Sequence, residues 1–191
     1  MKNLILVIGR SGSGKDTLVR HAQGEFGAKA IPSYTDRPMR PTETDGIEHT
    51  FLTAEQFDDL LAKEHVFAYT KIGDTGYRYC TTVEMLKGID ADTVFYVIDP
   101  SGYYFCEKWK TEFNMKVVYV CADQAIREAR ANARNGERTT WAKRNDDENG
   151  QFTDFEKAMP WDAFVENNGD VADAKKEFVT VVKSLLEGKS R

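Results

Sequence analysis

No stretch of this 191-residue chain approaches the roughly 20 apolar residues of a membrane span. The apolar run Leu4 to Ile8 is far too short, and it flows on without the small-residue cleavage site of a secretory leader. Neither a membrane partner nor a leader is expected. Long lysine or arginine runs are also missing, and 26 basic against 31 acidic residues leave a net charge of −5. That balance argues against nucleic acid or an anionic membrane as the main partner. Cysteine is scarce: Cys80, Cys106 and Cys121 are odd in number and lack paired metal-like spacing, so they read as reduced small hydrophobes of a cytoplasmic protein. His21, His49 and His65 form no metal-ligand spacing either, which argues against a zinc site. Internal repeats and low-complexity tracts are absent, and the length fits one domain large enough to bury a core, with room for a mobile insert.

What the chain does have begins at residue 4. An apolar strand runs straight into Gly9-x-x-x-x-Gly14-Lys15 and then into helix-forming sequence. Gly9 and Gly14 let the backbone take positive φ and turn its N–H groups inward, and Lys15 adds a point charge for terminal phosphates. This is the pattern of a phosphate loop, with Gly9, Arg10, Ser11, Gly12, Ser13, Gly14, Lys15, Asp16 and Thr17 as the candidate nucleotide-binding residues. The Lys15 side chain is expected to be exposed. The residue after Lys15, usually a serine or threonine that offers a hydroxyl to Mg²⁺, is Asp16, with Thr17 one step later. A carboxylate is also a hard oxygen donor, so Asp16 and Thr17 are candidate metal ligands.

Beyond the loop the pattern alternates. Helical spacing covers 15–26, a short strand 28–31, a helix 54–63, extended segments 65–72 and 77–80, a helix near 82–87, a strand 93–98, a helix 101–113 and a strand 116–121. A polar, arginine-rich helical stretch follows over 123–149, then a short strand at 163–166 and an amphipathic final helix. The segment after residue 32 reads as a polar loop holding Pro38 and Pro41, opening a β-rich insert that closes near 81. The order predicts an α/β fold: a parallel sheet with helices on both faces and ligands at the carboxyl ends of the strands.

Three further clusters carry chemistry. Arg37 and Arg40 lie three apart in a proline-stiffened loop, and guanidinium forks suit a phosphate monoester, although two solvated arginines would look the same. Asp99 ends the apolar run 93–98, where it can hold Mg²⁺ through water, touch an acceptor or simply cap the next helix. Arg127, Arg130, Arg134 and Arg138 recur at three- and four-residue spacing, followed by Lys143 and Arg144, as a solvated face or as a lid.

The segment Ser33, Thr35, Arg37, Arg40, Glu43, Gly46, His49 and Phe51 resembles the guanylate kinase pattern S-x-T-x-R-x-x-R-x-x-E-x-x-G-x-x-Y-x-F, with His49 standing where that family has tyrosine. Tyr79 and Thr82 are similar to the matching positions of its N-Y-Y-G-x-T segment, Arg130 and Arg134 to its R-x-x-x-R, and Arg144 to its later arginine. Asp99 matches the second aspartate of D-x-D-x-Q-G, and residues 166–170 resemble the family's segment near the adenine pocket. The resemblance covers essentially the whole chain. It implies a phosphate-loop kinase fold with a parallel five-stranded sheet, as a single domain of core 1–32, 82–125 and 151–191, a β-rich acceptor-binding insert 33–81 and an arginine-rich helical lid 126–150.

The resemblance also implies transfer of the ATP γ-phosphate with Mg²⁺. Lys15, Arg130, Arg134 and Arg144 would be catalytic; Ser33, Arg37, Arg40, His49, Tyr79, Thr82 and Asp99 would bind the acceptor; Asp16, Thr17 and Asp99 would bind the metal. The partners are then ATP and a small phosphorylated acceptor, with GMP or a related nucleotide as the default, in a monomer or homodimer. Ala68 stands where the family's guanine-reading glutamate is expected. Kinases of ribose 1,5-bisphosphate, which carry a Gly-Lys-Asp loop, therefore stay open as an alternative, and so does a non-catalytic phosphopeptide-binding module of the scaffold type. Those modules typically lose the loop lysine, which is present here as Lys15.

Overall fold

The run Leu4 to Ile8 is buried at every position, so its bulky side chains pack on both faces of a sheet and favour an extended strand over a one-sided helix. The computed structural model describes residues 1–40, 43–47, 49–73, 75–135 and 138–188, leaving out the side chains at 134, 135, 138–140, 143, 144 and 147. In chain order the elements begin with β1 (Asn3–Ile8), α1 (Lys15–Phe26), β2 (Lys29–Ala30), β3 (Ser33–Thr35), β4 (His49–Phe51) and α2 (Ala54–Lys63). Next come β5 (Val66–Lys71), β6 (Arg78–Thr82), α3 (Val83–Gly88), β7 (Thr93–Val97) and α4 (Pro100–Cys106). The last are β8 (Asn114–Cys121), α5 (Gln124–Asn135), α6 (Arg138–Ala158), β9 (Ala163–Glu166) and α7 (Val171–Leu186). Among the described residues no helix is long and apolar enough to cross a membrane.

The chain divides into two compact units, one of Met1–Ala30, Ala91–Pro100 and Phe113–Arg191, the other of Ile31–Asp90 and Ser101–Glu112. The first holds a five-stranded sheet in the order β2-β7-β1-β8-β9, and every pairing in it is parallel. β1 lies at its centre, so the loop that leaves Ile8 emerges mid-sheet at the carboxyl ends of the strands. One face is covered by α1 and α7: Leu18, Val19 and Ala22 meet Ile5, Val7, Phe95, Val118 and Val120, and Phe178, Val181 and Val182 complete the layer. On the other face Phe155 of α6 packs against Tyr119, whose ring stacks on Trp161 at 4.7 Å. The sheet with helices on both faces is the architecture the alternating pattern predicts.

The second unit holds a four-stranded mixed sheet, β4-β3-β6-β5. β3 pairs parallel with β4, while β6 runs antiparallel to both β3 and β5. The segment expected to be a polar loop thus contributes two strands, because Ser33 and Thr35 bury their side chains while the backbone pairs on both sides. Arg78 fastens this sheet, bonding Asp36 at 2.6 Å and Asp58, with its guanidinium 4.6 Å from the Phe57 ring. Thr53 and Gln56 form a reciprocal capping box at the start of α2.

Two other expectations shift. The helix expected over 101–113 ends at Cys106, where the chain tightens into a 3₁₀ turn at Glu107–Trp109. The arginine-rich stretch is two helices, and α6 continues to Ala158 because Phe152 and Phe155 anchor its last turns in the core.

Phe178 is fully buried with its ring 6.1 Å from that of Phe95, whereas Phe164 on the edge strand β9 is 57% exposed. Phe178→Ala is expected to lower unfolding free energy by about 3–5 kcal/mol. Phe164→Ala should change it by less than about 0.5 kcal/mol, both read from urea unfolding curves.

Candidate active site

Within the first unit, Gly9 and Gly14 serve different needs. Gly9 does not take a positive φ: it is required because a Cβ there would run into the Val120 carbonyl of β8, so the loop passes against the strand backbone. Gly14 does adopt the left-handed conformation, at φ 95°, and as the N-cap of α1 it turns the chain into the helix without a capping side chain. The amides of the first turn therefore begin beside the loop, an arrangement suited to an anion.

Lys15 is half-buried rather than exposed, and its Nζ donates to the Arg10 carbonyl at 3.2 Å. Asp16 and Thr17 are exposed on the first turn of α1. Ser13 is fully buried, and its Oγ has no hydrogen-bond partner among the described residues. Arg10 turns to α6, where it forms a fork on Glu156 at 2.7 and 2.9 Å and reaches Asn149 at 2.8 Å. That fork raises the Arg10 pKa, and burial works against it. For Glu156, burial favours the neutral acid, but bonds from Arg10 and Tyr119 outweigh it and lower the pKa.

The arginines of α5 reach the loop through its carbonyls. Arg127, 5% exposed, bonds the Ala122 carbonyl at 3.1 Å and the Ser11 carbonyl at 3.5 Å, and burial followed by the nearby Arg10 charge lowers its pKa. Arg130 bonds the Gly12 carbonyl at 3.5 Å and Asn167 Oδ1 at 3.4 Å, while Asn167 Nδ2 donates to the Ser13 carbonyl at 2.8 Å. The side chains of Arg134 and Arg144 lie outside the described residues.

The second unit gathers most of the expected acceptor residues. Arg37 is 6% exposed; its two terminal nitrogens fork onto Glu43 at 2.7 and 2.5 Å, and its Nε donates to the Tyr79 hydroxyl at 2.9 Å. The backbone N–H of Arg40 adds a 2.8 Å bond to Glu43, while the Arg40 side chain is 55% exposed. The Arg37 hydrogen bonds hold the Glu43 carboxyl down to about 2. Ser33 Oγ and His49 Nδ1 are joined at 2.9 Å, a contact set by the β3–β4 register that puts Ser33 opposite His49. The His49 ring lies 5.5 Å from that of Tyr79; burial, then the charge of Arg37, pushes its pKa down and favours neutral imidazole. Thr82 is occupied otherwise: its Oγ1 accepts from Met85 N at 3.2 Å and caps α3. Asp99 follows β7 in the first unit.

Glu43, Glu148 and Glu156 lie outside the set of site residues that the sequence suggests. Glu43 was findable, since it fills the glutamate of the resembled pattern, six residues from Arg37. Glu148 and Glu156 carry no such signal, because their partners at Ser11 and Arg10 are 137 and 146 residues away. For metal, no group of three or more His, Cys, Asp or Glu side chains assembles among the described residues. Mg²⁺ bound mainly through phosphate oxygens and water needs only one or two protein oxygens, and Asp16 and Thr17 offer them.

The guanylate kinase family model matches residues 1–185. The guanylate kinase of Aliivibrio fischeri is 33% identical over 105 residues, covering 52% of this chain and 49% of that protein. That of Thermobifida fusca is 36% identical over 104 residues, covering 53% and 52%. The chain thus matches about half the length of these relatives. Among solved structures, guanylate kinase from Anaplasma phagocytophilum superposes with a TM-score of 0.65 over 99% of this chain and 87% of that one, at 15% identity, a likeness of fold. With a match over nearly its whole length, the chain belongs to the guanylate kinase family.

Proposed function

We propose that the protein is an ATP-dependent phosphotransferase that passes the γ-phosphoryl group to a small phosphorylated acceptor, a nucleoside monophosphate in the first instance. The observation that carries this reading is the presence, in one chain, of a lysine-bearing glycine loop at the start of a helix and an arginine-tyrosine cluster of a kind that suits a phosphate monoester. Phosphoryl transfer asks for two phosphates held in line with their charge compensated, and little covalent help from the protein. Lys15 and the amides of residues 9–17 would hold the donor. Arg37, Arg40 and Tyr79 would hold the acceptor phosphate, with Ser33 and His49 beside it. Arg130, Arg134 and Arg144, in an arginine-rich lid over 126–150, would offset charge as the phosphoryl group moves. Asp99 is assigned to the acceptor or metal side on its position after β7 alone. Mg²⁺, held by Asp16 and Thr17, would supply charge neutralisation on the donor phosphates.

Ala68, buried in β5, has no polar side-chain atom with which to read a base edge. That favours an acceptor recognised chiefly through its phosphate, and it keeps a phosphorylated sugar such as ribose 1,5-bisphosphate as a second reading. Screening nucleotides and phosphorylated sugars for ATP-dependent phosphorylation tests both.

Lys15→Ala should cut turnover by at least about 100-fold, the scale of losing one electrostatic contact to the transition state, with its circular dichroism spectrum unchanged. A variant with wild-type turnover would refute the donor assignment.

GMP and AMP should differ by less than roughly 100-fold in kcat/KM. A site with a buried polar reader rejects an analogue because its own groups go unpaired, a penalty that reaches 10⁴ or more and that Ala68 cannot impose. Steady-state kinetics with both acceptors decides the point, and an exclusive preference for GMP would contradict it.

A further inference from the structure

An anion already sits on the phosphate loop. The backbone N–H of Ser11 donates to both oxygens of the Glu148 carboxylate, at 3.0 Å each, and the Ser11 hydroxyl donates to the Glu148 Oε1 as well. Glu148 lies on α6, and the same helix grips the neighbouring loop residue: Arg10 forks onto Glu156 and bonds Asn149. These ties hold the carboxylate beside the loop at high effective concentration.

We propose that Glu148 is an intramolecular competitor of the phosphate donor, occupying an anion position of the loop until a polyphosphate displaces it. This rests on the reading of the loop as the donor site. A carboxylate and a phosphate present the same kind of acceptor oxygen to an amide N–H, and the Ser11 amide, already shared between two carboxylate oxygens, has no third place for a phosphate oxygen. Two anions on one small loop also repel each other. Donor binding is therefore a competition, and the apparent dissociation constant rises by the reciprocal of the fraction of molecules in which the loop stands open. A loop open about one tenth of the time weakens every polyphosphate roughly tenfold. Ligands that gain enough from Lys15 and the start of α1 overcome this handicap, and weaker anions do not. By linkage, a bound polyphosphate must release Glu148 to the same degree.

Isothermal titration of ATP, and separately of inorganic tripolyphosphate, into the full chain and into Glu148→Gln and Glu148→Ala tests the proposal. Both variants are expected to bind both probes roughly tenfold more tightly than wild type. The gain should extend to tripolyphosphate because the competition is at the phosphates and involves neither base nor ribose. Glu148→Gln keeps the size of the side chain, so it remains informative should the alanine variant unfold. Wild type that binds ATP as tightly as Glu148→Gln, or more tightly, overturns the proposal while leaving the donor site standing. Failure of both probes to bind any of the three proteins removes the donor site itself, and this inference with it.

Discussion

The closest constraint in the first unit is the passage of the loop against β8, where a single methyl group at Gly9 would collide with the Val120 carbonyl. Backbone cannot move aside as a side-chain tip can, so the loop and the strand share one position. From it follows the placement of the other groups. The end of β8 leads through Ala122 into α5, whose Arg127 bonds the Ala122 carbonyl and reaches back to the carbonyl of Ser11. Asn167, just after β9 and bonded by Arg130 of α5, donates to the carbonyl of Ser13. The carbonyls of Ser11, Gly12 and Ser13 thus face cationic and amide donors.

Each unit supplies an internal anion to the group that would bind phosphate. Glu43 neutralises Arg37 in the second unit, and Glu148 takes the Ser11 amide in the first. For Arg37 the physical reason is desolvation. An arginine that is 6% exposed has lost most of its hydration, and a carboxylate restores what solvent no longer supplies. The two cases differ in permanence. Glu43 is 11% exposed, close to Arg37 in sequence and bonded by the Arg40 N–H as well, so it positions the guanidinium as a fixed part of the fold. Glu148 reaches its partner across 137 residues from a helix on the other side of the loop.

How much of this was legible in the sequence depended on whether a signal was local. The strand, loop and helix over residues 3–26 could be read directly, because apolar runs, helical spacing and the two glycines act within a few residues. β3 and β4 could not. Ser33 to Thr35 and His49 to Phe51 are too short for periodicity to show, and they are strands only because β6 and each other are there to pair with. Arg37 stands out in the sequence only as a candidate anion ligand, by its proline-stiffened spacing, whereas its ties to Glu43 and to Tyr79, 42 residues on, needed the fold. Gly9 is needed for a steric reason and not for the expected positive φ, since a conformational need and a steric one leave the same letter in the chain. Thr82 shows the reverse: a residue matching a functional motif has its hydroxyl engaged in capping α3.

The character of α6 follows from how its parts are held. Trp141, Phe152 and Phe155 are its buried aromatic anchors, at the first turn and in the last two, and burying apolar area makes those ends indifferent to which anion is nearby. Between them Glu148 and Asn149 face the loop through hydrogen bonds to Ser11 and Arg10. Polar bonds of this kind are exchangeable: a phosphate oxygen can replace a carboxylate oxygen on the same N–H at little net loss, while no small ligand replaces a buried phenylalanine. The middle of the helix is thus held to the loop by exchangeable polar bonds and its ends by buried aromatic side chains. Were the arginine-rich segment to serve phosphoryl transfer as proposed, it would use this division, staying attached to the sheet while its contacts to the loop were exchanged.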